Sequence, residues 1–478
     1  MNLKKNRYGL FLLGAIVVLL GGCTMAPKYE RPAAPVPADW PAGAAYQGAK
    51  PAPSAPAVTT LPWRDFLPET RLQKVIEIAL NNSRDLRLAV LNVERARALY
   101  GVQRAELLPV VQAVGSKYKE HIPADLSSTG HEITTQQYSV DLGITAWEID
   151  FFGRIRSLKD AALEEYLATD QARHNARILL ISETANAWFT LAADRENLKL
   201  ARSTLEDQNT SYNLIRKRYE VGISSELDLR NAQTQVETAR RNVAIYTQLT
   251  AQEENALNLL VGTPVSAELL PVDLNGVTPP REISAGLTSD VLLNRPDVLA
   301  AEHRLKAAYA NIGAARAAFF PRISLTTAFG TASADLSRLF KGGQETWLFA
   351  PQIVVPIFDA RTWWAYKVTK VEREMYVTQY ERTIQTAFRE VADALAQKGT
   401  VGEQLAAQEA LVEATAESYR LSDARYLRGI DSYLNVLVAH RALYSAQQGL
   451  INLRLNRLAN QVTLYKVLGG GAADSLYQ

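Results

Sequence analysis

One cysteine, Cys23, occurs in 478 residues, and five histidines, His121, His131, His174, His303 and His440, are scattered through the rest. The histidines lack the spacing of metal ligands. No Ser-His-Asp grouping, P-loop or GxGxxG after a strand accompanies them. Neither an enzyme nor a metal or cofactor site is expected. The cysteine is different, because of what precedes it in LLGGCTMAPKYERP (19–32). Lys4, Lys5 and Arg7 form a positive start, and Tyr8 to Leu20 is apolar but too short for a comfortable membrane span. Small residues Gly21 and Gly22 then stand directly before Cys23. That order fits an export signal over residues 1–22. Cleavage would leave Cys23 as the new N-terminus, its thiol carrying diacylglycerol as the only bound group. A single thiol also suits an oxidising compartment, where a spare one is a liability. Thr24, in place of an Asp that would favour retention at the inner membrane, points to the outer membrane of a Gram-negative cell.

The remaining composition sets limits. Removing residues 1–22 removes three basic groups, so 49 basic and 50 acidic residues remain, a formal charge of −1. This balance gives no electrostatic reason to bind nucleic acid. No later apolar run reaches the length of a transmembrane helix, so any insertion must use strands. Residues 23–62 are rich in Pro and Ala and read as an extended tether with little core of its own. Folded structure is expected from Trp63.

The folded part repeats itself. NSRDLRLAVLNVERARALYGVQRAELLP (82–109) matches NRPDVLAAEHRLKAAYANIGAARAAFFP (294–321), pairing Asp85 with Asp297 at an offset of 297 − 85 = 212. RYEVGISSELDLRNAQ (218–233) matches RYLRGIDSYLNVLVAH (425–440) at an offset of 425 − 218 = 207. The reading is two structural repeats, 63–270 and 271–471, with a C-terminal tail at 472–478. Each repeat runs helix, strand pair, long helical hairpin. RISLTTAFG, QYSVDLGITAW and WLFAPQIVVPIF alternate large apolar with polar or small residues, whereas the strand near 110–120 is ambiguous. From about 160 to 262 the one clear helix break is EVGISSEL (220–227). Beyond it Leu229, Ala232, Val236, Ala239, Val243 and Tyr246 recur at steps of three and four, repeated by Val436, Ala439, Leu443, Ala446, Leu450 and Leu453. That is a coiled-coil seam, on arms of about 60 residues that would reach roughly 90 Å. Gly222 and Gly429 suit the hairpin reversals, which need a residue that tolerates positive φ.

Four strands cannot close a membrane barrel, which needs about eight, and open edges are not tolerated in lipid. Several chains must therefore pool their strands. Two would give a filled barrel of eight strands and three a passage of twelve. The bottom-up expectation is a homo-oligomeric conduit projecting far into the periplasm.

LGGC, RDLRLAVLNVERAR, EIDFFGRIRS, LLNRPDVLAAEHRLKAAYANIGAARAAFFPRISLTTAFG, VVPIFDA, AFREVADALA and NLRLNRLANQVTLYKVLGGG resemble the TolC-like outer-membrane factor family, in its OprM-like lipoprotein branch. The similarity spans about residues 60–471. It implies a mainly α fold with a membrane β-barrel portion. It also implies a homotrimer with a twelve-stranded barrel and a twelve-helix periplasmic tunnel. The partners implied are a periplasmic adaptor, an inner-membrane pump of the resistance-nodulation-division type and outer-membrane lipid. The function implied is passive exit of drugs, solvents or metal ions, with a duct for type I protein secretion as the alternative. A pore-free, lipid-anchored coiled-coil scaffold is a third reading. The tips around Gly222, Ser224, Gly429 and Ser432 match the family's adaptor-docking region. A gate follows the second hairpin in the branch pattern L-x-x-L-D-A-x-R. Here LNVLVAHR supplies Leu434 and Arg441, but Val438 occupies the Asp position. Asp228 and Asp431 are the carboxylates near enough in sequence to stand in.

Overall fold

The computed structural model describes residues 24–49, 58, 61–283 and 288–471. The export signal, Cys23 and the tail at 472–478 lie outside the described residues. The main helices are α1 (Thr70–Asn82), α2 (Arg84–Ala105), α3 (Arg154–Glu220), α4 (Glu226–Val261), α5 (Pro296–Ala317), α6 (Ala360–Leu427) and α7 (Tyr433–Val467). The strands are β1 (Val111–Ile122), β2 (Ile133–Glu148), β3 (Arg322–Ser333) and β4 (Glu345–Val354). The repeat is literal: adding 212 to the bounds of α2 gives those of α5. With 67 and 68 residues, α3 and α6 each measure about 100 Å. Among the described residues no helix is long and apolar enough to cross a membrane.

The chain clusters into two units. One comprises residues 24–33, Val93–Thr169 and Ala301–Tyr380, and holds an antiparallel sheet of order β1-β2-β3-β4. Register places Val111, Ile144, Thr327 and Phe349 on one rung, and Ala113, Leu142, Phe329 and Trp347 on the next rung of the same face. Trp347 and Phe349 on this face are 78% and 62% exposed. The other face carries Gln112, Ser116, Ser139, Asp141, Ala328, Gly330, Ala350 and Gln352. One apolar face and one polar or small face is the pattern of a membrane barrel around water. A bulge between Ile144 and Trp147, with Ala146 at φ 50°, tightens the bend of β2. β4 stops at Val354, short of the expected Phe358, where its partner Arg322 is the first residue of β3 and Pro321 and Pro356 flank the end of the ladder.

In the same unit residues 24–33 of the Pro/Ala-rich segment pack against α5. Arg31 donates two hydrogen bonds to Glu302, at 3.1 and 2.7 Å, and Tyr29 a third at 3.0 Å. Glu302 is 3% exposed, so these donors and Lys306 at 3.3 Å offset the cost of a buried charge.

The second unit, Ala34–Asn92, Asp170–Ala300 and Glu381 onward, holds the hairpins. Its core contains Trp63, Phe66, Leu72, Ile76, Trp188, Phe189, Leu257 and Tyr465, all fully buried, each stabilising the fold by roughly 1.5–3 kcal/mol. Phe66 stacks on Tyr465 at 4.2 Å, and the Tyr465 hydroxyl donates to the Leu61 carbonyl at 2.9 Å. Arg295, of the NRPD motif, donates to the Val467 carbonyl at 2.6 Å and to Asp297 and Glu390 at 2.7 and 2.9 Å. It thereby satisfies a carbonyl that the end of α7 leaves without a helical partner. In the seam, Ala232, Val236, Ala239, Val436, Ala439 and Ala446 are buried, and the other predicted positions are half-buried.

Candidate functional site

Both hairpins reverse by the same device. In the first, Gly222 at φ 77° lets its N–H reach the Tyr219 carbonyl at 2.9 Å and the Ile223 N–H reach that of Arg218 at 2.7 Å. In the second, Gly429 at φ 74° repeats the pair, to Tyr426 at 2.9 Å and from Ile430 to Arg425 at 3.0 Å. This is the Schellman ending of a helix, and the positive φ explains the glycine.

The return helices start differently. Ser225 caps α4: its hydroxyl accepts from the Asp228 N–H at 3.1 Å, and the Asp228 carboxylate accepts from the Ser225 N–H at 3.3 Å. Ser432, at the same place before α7, makes no side-chain cap. Asp431 instead accepts from Arg425 Nε at 2.5 Å. That guanidinium holds the Asp431 carboxyl below the usual carboxylate range. Both candidate carboxylates are thus committed locally, Asp228 to Ser225 and Asp431 to Arg425.

Behind the turns, Ile215, Ala232, Tyr426, Tyr433, Val436 and Leu437 form one apolar cluster joining α3, α4, α6 and α7. Tyr426 and Tyr433 meet at 5.3 Å, and the Arg218 guanidinium lies 4.9 Å over the Tyr426 ring. Leu434, Val438 and Arg441, at steps of four and three, fall on the opposite side of α7 from Val436 and Ala439, with buried Leu437 on the flank between. Leu434 and Val438 are 55% and 53% exposed, and Arg441 is exposed beside them. Leu227, the first-repeat equivalent of Leu434, is exposed too. So the structure brings Leu434, Val438 and Arg441 into one outward stripe, and brings neither Asp228 nor Asp431 to Arg441. The turn residues Gly222, Ser224, Gly429 and Ser432 stand at the two ends, with Val221, Ile223 and Ile430 exposed between them.

Sequence reasoning gave His440 no role. Its ring sits 3.1 Å from the Gln208 amide nitrogen and 5.0 Å from the Tyr419 ring, edge to face. Its position in the seam repeat, next to Ala439, was the available signal.

An apolar-faced sheet and paired helical arms far longer than ordinary helices fit a channel protein of an outer membrane. The chain belongs to the outer membrane efflux protein family, whose model matches residues 75–263 and 287–470. The two matches start 287 − 75 = 212 residues apart and end 470 − 263 = 207 apart, the two offsets of the internal repeat. It is 49% identical to the antibiotic efflux pump outer membrane protein ArpC of Pseudomonas putida, over 97% of this chain and 95% of that one. Identity to the outer membrane protein OprJ of Pseudomonas aeruginosa is 41%, over 98% and 97% of the two chains. Among solved structures, the open state of the Neisseria gonorrhoeae MtrE outer membrane channel superposes with a TM-score of 0.84 at 37% identity, covering 94% of this chain and 98% of that one. The Campylobacter jejuni CmeC outer membrane channel does so at 0.85 and 25% identity, covering 94% and 95%. The chain is an outer-membrane exit duct for efflux in Gram-negative bacteria.

Proposed function

We propose that three copies close a twelve-stranded barrel and continue it as a twelve-helix tunnel, docked through its tips on a periplasmic adaptor and an inner-membrane pump of the resistance-nodulation-division type. The observation that carries this reading is a four-stranded sheet with one apolar face and two unpaired edges, β1 and β4. Such edges need neighbours in lipid, and three sheets make a barrel wide enough to conduct. α2 supports the same reading. It has no buried residue, with Leu88 and Val102 58% and 65% exposed, whereas its repeat partner α5 buries Val298, Leu305 and Ile312. A second copy is the natural cover for that face.

Relatives named for antibiotic and toluene efflux support drugs and solvents as the cargo. Cys23, lipidated, anchors each chain a second time. Leu434 and Arg441 narrow the tunnel at the tip, and the exposed turns at Gly222, Ser224, Gly429 and Ser432 receive the adaptor. Deleting the gene in a strain that keeps its pump and adaptor should lower tolerance to toluene and to apolar antibiotics, and a plasmid copy should restore it. Unchanged tolerance to every such compound would count against the efflux role.

A further inference from the structure

The membrane-facing side of the sheet changes chemistry along β1 and β2. After the rungs of Val111 and Ala113 comes Gly115–Val140–Thr331–Glu345. The following rungs on that face read Lys117–Tyr138–Ser333, then Lys119–Gln136, then His121–Thr134. The β1–β2 hairpin thus runs on beyond the last β3–β4 pair, Thr331–Glu345, and carries two exposed lysines directly past the apolar rows. Lys117 Nζ lies 5.1 Å from the Tyr138 ring, a cation over an aromatic at the edge of the band. The β3–β4 turn adds Arg338 and Lys341 on either side of Phe340, which is 78% exposed. Two acidic groups remain exposed nearby, Glu345 on the Thr331 rung of that face and Glu132 ahead of β2, while Asp335 and Glu120 are spent or turned away. Asp335 accepts from the Ser337 N–H at 2.9 Å, Glu132 lies 3.9 Å from His121, and Glu120 alternates to the opposite face with Tyr118.

We propose that Lys117 and Lys119, with Arg338 and Lys341, bind the phosphate groups of outer-leaflet lipid. This rests on the reading that the apolar rows lie in the outer membrane. Continuity decides the occupant: the apolar rows hand over to cations where acyl chains hand over to headgroups, and phosphates are the anions there. Long lysine side chains can lie along the apolar surface and present their charge at that level. On the lumen face the same residues would meet only water and cargo.

The test is native mass spectrometry of the full-length purified oligomer titrated with bis-phosphorylated lipid A, its dephosphorylated form, or inorganic phosphate as competitor. Wild type should hold the phosphorylated lipid more tightly than the dephosphorylated one. Lys117→Gln and Lys119→Gln should each weaken the phosphorylated lipid by about fivefold, and leave the dephosphorylated one unchanged. Equal binding by the double variant, equal binding of both lipids by wild type, or displacement by inorganic phosphate would overturn the proposal. Normal bilayer insertion of the double variant with unaltered lipid binding would overturn it alone. Failure of wild type to insert at all would overturn the duct reading as well.

Discussion

His440 shows how one side chain can make the tip respond to pH. It faces Asp207 and Gln208 on α3 and Tyr419 on α6, with Arg441 its neighbour on α7. Burial pushes its pKa below the ordinary histidine value, and Asp207 opposes the shift in part. The packed tip therefore prefers neutral imidazole. Its stability is unaffected above the ordinary value of about 6.5, and falls as pH drops from there toward the lowered value. Acidifying from neutrality to about pH 5 should loosen the tip, read as a rise in single-channel conductance. His440→Gln keeps an amide in the same space and should flatten that rise. An identical pH profile in the variant would show that another group titrates.

At the scale of the element, the two hairpins share a turn but not a cap. Asp228→Ala removes half of the Ser225–Asp228 capping box and should cost the first hairpin about 1 kcal/mol, seen as faster hydrogen exchange at the start of α4. Ser432→Ala should leave exchange at the start of α7 unchanged, because Ser432 makes no side-chain cap. Equal effects would mean the caps are not what holds these starts. The long arms, the breaks and the seam were legible in the sequence because heptad spacing and turn glycines are local signals. β1 was not, for a physical reason: Lys117 and Lys119 sit on its apolar side and Val114 and Tyr118 on its polar side, so alternation alone is blurred. Only pairing with β2 assigns the faces. VVPIF stays apolar beyond the end of β4 at Val354, so hydropathy alone overruns the strand. Spacing along α7 put Leu434, Val438 and Arg441 on one stripe, but the partners of Asp228 and Asp431 depend on turn geometry that spacing does not carry.

In the proposed trimer, strands pooled from three chains, more than lipid, keep the whole molecule in the membrane. Cys23→Ala behind a cleavable signal should then still give folded trimers in the outer membrane with much of their activity, by heat-modifiable migration and drug tolerance. Complete loss of trimers would make the acyl chain essential to insertion. In the proposed duct, Leu434 and Arg441 hold the trimeric passage closed at its helical tips. Planar-bilayer recording of the purified protein beside its Leu434→Ser/Arg441→Ser variant tests it most directly. Small, brief openings are expected from wild type and large, sustained conductance from the variant, with vancomycin sensitivity in cells that carry it. Equal conductance from the two proteins, or none from either, would contradict it.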